Sequence, residues 1–254
     1  MLIQFSGTQW SLVTNSFLLC AIALLATAIF SITTQSRVLY RYRNIIVLAS
    51  VMCLIDFMSY IHLLFSFISA SVGNDVLFGV GHSAFDHSSR YIAWIICVPI
   101  QATLLIKLVA TDQRAANLLQ KKTLPSLIIM LLLGYIGEIN SQFLLPFGLL
   151  SMIVFAYVIW SIYLPFKPLL EKQSKDVRLR FTRLRALMVL LWCIYPVLYF
   201  LNSSSALNLD SSNFLAFQQL LLVATDLLSK AYFSLEIFKI ARMKSTEEGL
   251  PSYE

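Results

Sequence analysis

Two ionisable residues lie four positions apart in an otherwise apolar stretch near the end of the chain. Asp226 and Lys230 fall within residues 214–240, a run long enough to cross a bilayer as a helix. Residues four apart share one helix face. A lysine amine forms an imine with an aldehyde, burial favours that reaction, and a nearby carboxylate neutralises the protonated imine. The alternative for this stretch alone is a structural Lys–Asp pair in a bundle core.

The composition that surrounds this pair is typical of a membrane protein. Of the 254 residues, 58% are hydrophobic and 13% are charged, which excludes an ordinary soluble domain. Within a bilayer only helices and closed barrels satisfy every backbone group, and apolar runs of this length favour helices. The predicted fold class is an all-α membrane protein, a seven-transmembrane-helix bundle, with spans A to G at about residues 11–32, 44–67, 90–110, 124–139, 143–163, 186–201 and 214–240.

The distribution of charge predicts the orientation of the bundle. The net charge of +6 arises mainly from basic clusters such as Lys239, Arg242 and Lys244, which lie in the short segments at one end of the spans, whereas Asp75 and Asp210 lie in the opposite connections. The positive-inside rule then places the N-terminus outside and the C-terminus inside. We expect a multi-pass protein of the plasma membrane with lipid, and not nucleic acid, as its surroundings. Residues 1–244 are predicted to form the membrane domain and residues 245–254 a polar cytoplasmic tail.

The connection between spans B and C is the longest and is rich in turn residues. Gly73, Asn74, Gly79 and Gly81 lie within residues 69–89, and such residues favour tight turns. We therefore expect a short hairpin there. The four cysteines and three histidines have no metal-ligand spacing, so the sequence predicts neither a metal site nor a disulfide framework.

Aromatic motifs in two other spans complete a pattern around the lysine. Span C reads Arg–Tyr–Ile–Ala–Trp from Arg90, and span F reads Trp–Cys–Ile–Tyr–Pro from Trp192. Span D ends in Gly–Tyr–Ile–Gly–Glu from Gly134. In this order, with the lysine in span G, the chain resembles the microbial (type 1) rhodopsins, and most closely the proteorhodopsin group, over nearly its whole length.

The resemblance implies a cofactor and a set of residues that bind it. All-trans retinal would be bound covalently to Lys230 as a protonated Schiff base, which would make residues 1–244 a retinal-binding domain. Trp94 and Trp192 would enclose the polyene, and Asp226 would balance the charge. The other implied residues are Tyr195, Pro196 and Tyr199 in the pocket, Tyr60 as a second hydrogen-bond partner of Asp226, Arg90 on the extracellular side, and Gln101 at the position that tunes colour. Aromatic residues at these spacings are otherwise ordinary packing.

The departures from the family pattern predict that the chain is not an ordinary outward proton pump. The helix C proton acceptor is replaced by Ala93, the threonine one turn later by Cys97, and the proton donor by Leu104. The proteorhodopsin histidine that supports the acceptor is replaced by Ser59. A pump needs groups that accept and donate protons in turn, and neither alanine nor leucine does so.

Asp56 in span B is the candidate replacement for the missing acid. It precedes Tyr60 by one helical turn, so we hypothesise that it is a second counterion or a proton acceptor; a protonated, hydrogen-bonded acid in the core is the alternative. Glu236 and Lys107 lie towards the cytoplasmic ends of their helices. They are expected to be a solvated pair, the alternative being a substitute proton donor.

Three functions follow from these residues, none of them enzymatic. The first is a light sensor or non-pumping photoreceptor, whose transducer would be a separate protein. The second is a light-driven transporter, either of protons inward or of anions. The third is a seven-helix protein in which Lys230 is structural and no retinal binds. By resemblance, the chain is also expected to form homo-oligomers.

Overall fold

The computed structural model of the chain describes residues 2–79, 84–110, 113–140, 142–202 and 212–249. The predicted seven-helix bundle is confirmed. Its first six helical spans are α1 (Gly7–Thr34), α2 (Tyr40–Ser69), α3 (Arg90–Val109), α4 (Gln113–Ile139), α5 (Leu144–Tyr163) and α7 (Lys175–Asn202), with the short α6 (Lys167–Glu171) between the last two. The seventh comprises α8 (Ser212–Asp226), a π-helical turn (Leu227–Tyr232) and α9 (Phe233–Glu247).

Six of these helices are long and apolar enough to cross a membrane: α1, α2, α3, α4, α5 and α7 with their flanking turns. They bury one face and expose the other. In α1, Val13, Phe17 and Leu24 are fully buried, whereas Leu19 and Ile22 are more than half exposed. Large apolar side chains on the outer surface suit a hydrocarbon solvent. In such a solvent, the inner face of a helix differs from its outer face by packing against neighbouring helices, and not by the exclusion of water.

Several helices are longer than the apolar stretches that predicted them. Span D was expected to begin near residue 124, but α4 begins at Gln113 and contains Pro125. Span F was expected to begin near residue 186, but α7 begins at Lys175. These helices continue past the apolar part of the bundle with polar residues. The seventh helix likewise reaches Glu247, so residues 245–247 of the expected tail are helical, and Ser245 is buried.

We call the end of the bundle where α1 begins the N face and the end where α9 finishes the C face. A small sheet lies at the N face. Its strands are β1 (Leu2–Gln4), β2 (Ser71–Val72) and β3 (Asp75–Leu77), in the order β1-β3-β2 and all antiparallel. The expected hairpin is therefore present, and Gly73 at its turn has a φ of 64°, which glycine adopts without steric cost. Residues 80–83, including Gly81 and His82, lie outside the described residues.

Candidate functional site: a buried charge cluster at the end of an aromatic cavity

The lysine lies in a locally widened turn of the seventh helix. The π-helical turn spans Leu227–Tyr232, and such turns frequently occur at functional sites. Lys230 is 1% exposed and Asp226 is 1% exposed. The two side chains form an ion pair, as their four-residue spacing predicts.

A second carboxylate approaches the same amine from α2. Asp56 Oδ2 lies 3.5 Å from Lys230 Nζ, and Asp56 is 2% exposed. Among the described residues this oxygen accepts no hydrogen bond, so the lysine is its principal polar neighbour. The amine therefore lies between two buried acids, one on its own helix and one on α2. The sequence left two readings of Asp56, a counterion or proton acceptor and a protonated, hydrogen-bonded core acid, and the counterion reading is the one that requires this approach to the amine.

Asp226 is held by two tyrosines. Tyr60 donates to Asp226 Oδ2 at 2.7 Å and Tyr195 donates to Asp226 Oδ1 at 2.6 Å. These are the two hydrogen bonds that the family resemblance implies. Because each oxygen has a donor, the carboxylate is fixed in orientation, and burial without such partners would be costly.

Arg90 extends the cluster towards the N face. Its NH1 lies 3.1 Å from Tyr60 Oη and 3.7 Å from Asp226 Oδ2, and its NH2 donates to Gln219 Oε1 at 2.8 Å. Gln219 was not predicted from the sequence. It lies seven residues before Asp226, two helical turns along the same face, and an amide at that spacing in an apolar span is a signal that was available.

With both acids ionised, the charges of the four buried residues sum to zero. Arg90 and Lys230 are basic, Asp56 and Asp226 are acidic, and all four residues are at most 2% exposed. A buried charge without a partner is strongly destabilising, so balance favours this cluster at membrane depth. Ala93, at the position of the missing helix C acid, is 5% exposed and adds no charge. An ionised Asp56 would supply on α2 the charge that α3 lacks.

A cavity with aromatic walls begins at the lysine. Its volume is about 80 Å³, and its mostly apolar lining with one charged group is typical of pockets that bind small organic ligands. Trp94 and Tyr195 pack with ring centroids 4.5 Å apart. The predicted residues that line the cavity are Lys230, Trp94, Trp192, Tyr195, Pro196 and Tyr199.

Helices α4 and α5 provide the part of the cavity wall that sequence reasoning missed. Met130, Met152 and Phe155 line it, together with the small residues Gly134 and Gly148. A Cβ on Gly148 would lie 2.6 Å from Tyr199 Cε1, and one on Gly134 would lie 3.1 Å from the ring of Tyr91. Both glycines therefore admit aromatic rings from neighbouring helices, and a glycine within an apolar helix is the sequence signal for such an approach.

Gln101 and Cys97 lie beside the charge cluster and not along the cavity wall. Gln101 is fully buried and donates to the backbone carbonyl of Ser229, next to the lysine. Cys97 is fully buried, and its thiol points to the carbonyl oxygen of Met52 at 3.6 Å. Its side chain also has a polar interaction with the carboxyl group of Asp56. Both residues contact neighbours of the amine, so each is placed to affect its environment.

Glu236 and Lys107 do not form the expected solvated pair. Glu236 is 6% exposed and pairs with Arg180 at 3.2 Å and Lys239 at 2.7 Å, whereas Lys107 is exposed on α3. The expectation was wrong because Glu236 faces α7 and not α3. The partner Arg180 lies 56 residues away in sequence, so no local spacing indicates it.

The arrangement can hold a long apolar aldehyde. The walls of the cavity are mainly apolar and aromatic, and the Lys230 amine lies at its inner end. Two carboxylates lie close enough to this amine to balance the positive charge of a protonated imine. The residues present therefore fit the cofactor that the sequence resemblance implies, and ring packing between α3 and α7 forms part of the pocket wall.

Comparisons with known proteins agree with this reading. A family model described as bacteriorhodopsin-like protein matches residues 11–243. Two curated relatives are the green-light absorbing proteorhodopsin of Gamma-proteobacterium EBAC31A08 and the blue-light absorbing proteorhodopsin of Gamma-proteobacterium Hot 75m4. The first is 25% identical over 237 residues, covering 91% of this chain and 87% of the relative. The second is 23% identical over 235 residues, covering 91% and 86%.

Solved structures share the fold over almost the whole chain. A thermophilic rhodopsin has a TM-score of 0.90 at 25% identity, covering 98% of this chain and 100% of its own. Xanthorhodopsin, described as a light-driven ion pump with dual chromophore, has a TM-score of 0.88 at 22% identity, covering 99% of each chain.

Proposed function

We propose that this chain, which belongs to the bacteriorhodopsin-like protein family, is a retinal-binding membrane photoreceptor. In it, Lys230 binds all-trans retinal covalently. Bound retinal supplies light absorption and a light-driven change of shape next to the lysine nitrogen. Trp94 and Trp192 confine the chain of the cofactor, and Asp226, held by its two tyrosines, keeps the nitrogen charged in the dark.

We further propose that light drives a proton from the Lys230 nitrogen to Asp56 and on towards the C face, and that the nitrogen then regains a proton from water at the N face. The distance of 3.5 Å between Asp56 Oδ2 and Lys230 Nζ is the observation on which this proposal rests. A proton acceptor must be within hydrogen-bonding reach or one water away. On α3, the position of the missing helix C acid is occupied by Ala93, whose side chain has no atom able to accept a proton.

The polar groups on either side of the amine support this direction. Towards the N face, the buried groups beyond Asp226 include the amides Gln218 and Gln219, which are not proton-releasing acids. Towards the C face from Asp56, Cys53 Sγ lies 3.3 Å from Ser234 Oγ, one turn beyond the lysine. If the N face is outside, as the charge distribution predicts, transfer towards the C face is inward proton transport.

A light sensor that moves no ion is the second candidate. The observation that favours it is a dry layer on α3 between the charge cluster and the C face, where Leu104, Leu105 and Ile106 are fully buried. Such a layer opposes proton flow in the dark. Anion transport has less support, because Ala93 offers neither a hydroxyl nor an amide to a halide.

Light-driven pH changes separate these functions. In cells that express the retinal-reconstituted protein, inward transport predicts that illumination makes the medium alkaline, that a protonophore abolishes the change, and that replacing chloride by sulfate has no effect. An anion pump predicts a chloride-dependent change that the protonophore increases. A flat trace in every condition favours the sensor. Lys230→Ala, which cannot hold retinal, is the control that shows no visible band and no response.

The plasma membrane, homo-oligomeric assembly and a separate transducer protein stay predictions. Cell fractionation tests the first, and native mass spectrometry in lipid nanodiscs tests the second. Co-purification of a partner from the native membrane tests the third, and it is informative only where the light-driven pH trace is flat.

A further inference from the structure

Glu236 occupies a position on the C-face side of the lysine where a proton moving inward must leave the protein interior. It lies six residues after Lys230 on the seventh helix, which is a rise of roughly 9 Å at 1.5 Å per residue. The residue is 6% exposed, although this part of the helix approaches the end of the bundle. A carboxylate buried here is unusual and is not explained by the cofactor pocket.

The carboxylate of Glu236 forms ion pairs with two basic side chains that are more exposed than Glu236 itself. Glu236 Oε2 lies 3.2 Å from Arg180 NH1, and Glu236 Oε1 lies 2.7 Å from Lys239 Nζ. The side chains of Arg180 and Lys239 are 41% and 53% exposed, against 8% for the side chain of Glu236. The acid therefore lies at the boundary between the protein interior and water, with the two cations on the water side.

A cavity of mixed lining adjoins this boundary. It has a volume of about 580 Å³, and its polar lining residues are Asp176, Arg180, Arg183, Tyr232 and Glu236. Four apolar residues, among them Leu184 and Met243, complete the lining. The cavity lies between α7 and the seventh helix, so a proton that reaches Glu236 is next to a space large enough, and polar enough at the acid, to hold water.

We propose that Glu236 is the proton-release group of the inward path. After Asp56 becomes protonated, its proton leaves the carboxylic acid and is taken up by the Glu236 carboxylate through intervening water. Asp56 is then ionised again, and Glu236 returns to its ionised form by losing the proton to water in the C-face cavity. The ion pairs with Arg180 and Lys239 hold the ionised carboxylate in place between turnovers. This inference rests on the proposed inward transport.

The competing explanation is that Glu236 only fastens α7 to the seventh helix. The two roles differ in what Arg180→Gln does. This variant removes the bond between the helices but keeps the acid and its contact with Lys239. A fastening role predicts that Glu236→Gln and Arg180→Gln behave alike, whereas a proton-release role predicts that Glu236→Gln slows the release of the proton much more than Arg180→Gln does.

The experiment follows proton release at the C face after a single flash, with a pH-sensitive dye on that side of reconstituted vesicles. We expect Glu236→Gln to slow the release at least tenfold and Glu236→Asp to restore most of the rate. Arg180→Gln should slow the release less than Glu236→Gln does, and the exposed control Lys107→Gln should stay within twofold of the unmodified protein. Infrared difference spectra should show a protonated-acid band that disappears in Glu236→Gln, while the visible absorption maximum is unchanged.

The outcomes separate this inference from the proposed function. If the unmodified protein shows flash-induced release at the C face and Glu236→Gln releases at the same rate without loss of an infrared band, Glu236 is not the release group, although inward transport stands. If Glu236→Gln and Arg180→Gln slow the release equally, the acid is a fastening residue. If the unmodified protein releases no proton at the C face, inward transport and this inference both fail.

Discussion

Replacing Asp56 by asparagine tests the charge cluster most directly. Two unit charges 3.5 Å apart interact by about 5 kcal/mol at an effective dielectric constant of about 20. Excitation of retinal moves positive charge away from the nitrogen, so a carboxylate at this distance stabilises the ground state more than the excited state. If Asp56 is ionised in the dark, Asp56→Asn should lower the transition energy by a sizeable fraction of that value, a red shift of tens of nanometres.

The assay is the visible absorption spectrum of the purified, retinal-reconstituted variant, together with its light-driven pH trace. We expect both the red shift and at least a tenfold loss of inward transport. Glu171→Gln, which also replaces a carboxylate by an amide but at an exposed position at the end of α6, should alter neither. An unchanged spectrum would show that Asp56 is already neutral in the dark, because asparagine closely matches a protonated acid in shape. An unchanged spectrum with intact transport would refute the assignment of Asp56 as acceptor.

Three further predictions concern the acid on α3, the packing of the pocket and the colour. Asp56→Asn combined with Ala93→Asp moves the acid to the other side of the amine while keeping the charge balance. Illumination of this double variant should therefore acidify the medium, and an alkaline response would contradict the proposed direction of transport. Gly148→Ala places a Cβ 2.6 Å from the ring of Tyr199 and should destabilise the pocket by about 1–3 kcal/mol, measured as earlier thermal loss of the visible band. Gln101→Leu removes a dipole beside the lysine and should shift the absorption maximum to the red, as the family pattern implies; a blue shift would refute this role for the amide.

The sequence was sufficient to predict the bundle because long apolar runs have few structural solutions in a bilayer. It was also sufficient for the pair of Asp226 and Lys230, since their spacing and their membrane depth are both local properties. The approach of Asp56 to the same amine was a hypothesis that depended on the packing of α2 against the seventh helix. Spacing in the sequence places Asp56 one turn before Tyr60, but only the packed structure gives the 3.5 Å distance.

The features that sequence reasoning missed depend on contacts between distant segments. Glu236 pairs with Arg180 because α7 begins well before its apolar part, and an apolar-run criterion begins the helix too late to include that arginine. The strand β1 pairs with β3 across more than 70 residues, and three residues of strand have too little pattern to predict their partner. Gly148 is an exception, since a glycine in an apolar helix was a usable signal of close packing.

The zero sum of the four buried charges limits the evolutionary routes that lead to this chain. An ancestor with its acid on α3 and a small residue on α2 differs from this chain at two positions of the charge cluster. Each of the two substitutions, made alone, has its own energetic cost. Gaining Asp56 first gives an excess negative charge, and losing the α3 acid first gives an excess positive charge. Either intermediate would have to protonate an acid, release the proton of the chromophore or recruit an ion from solution. A lineage could therefore have passed through a stage whose colour changed strongly with acidity, or through a stage that bound a halide, before the reversed arrangement was complete.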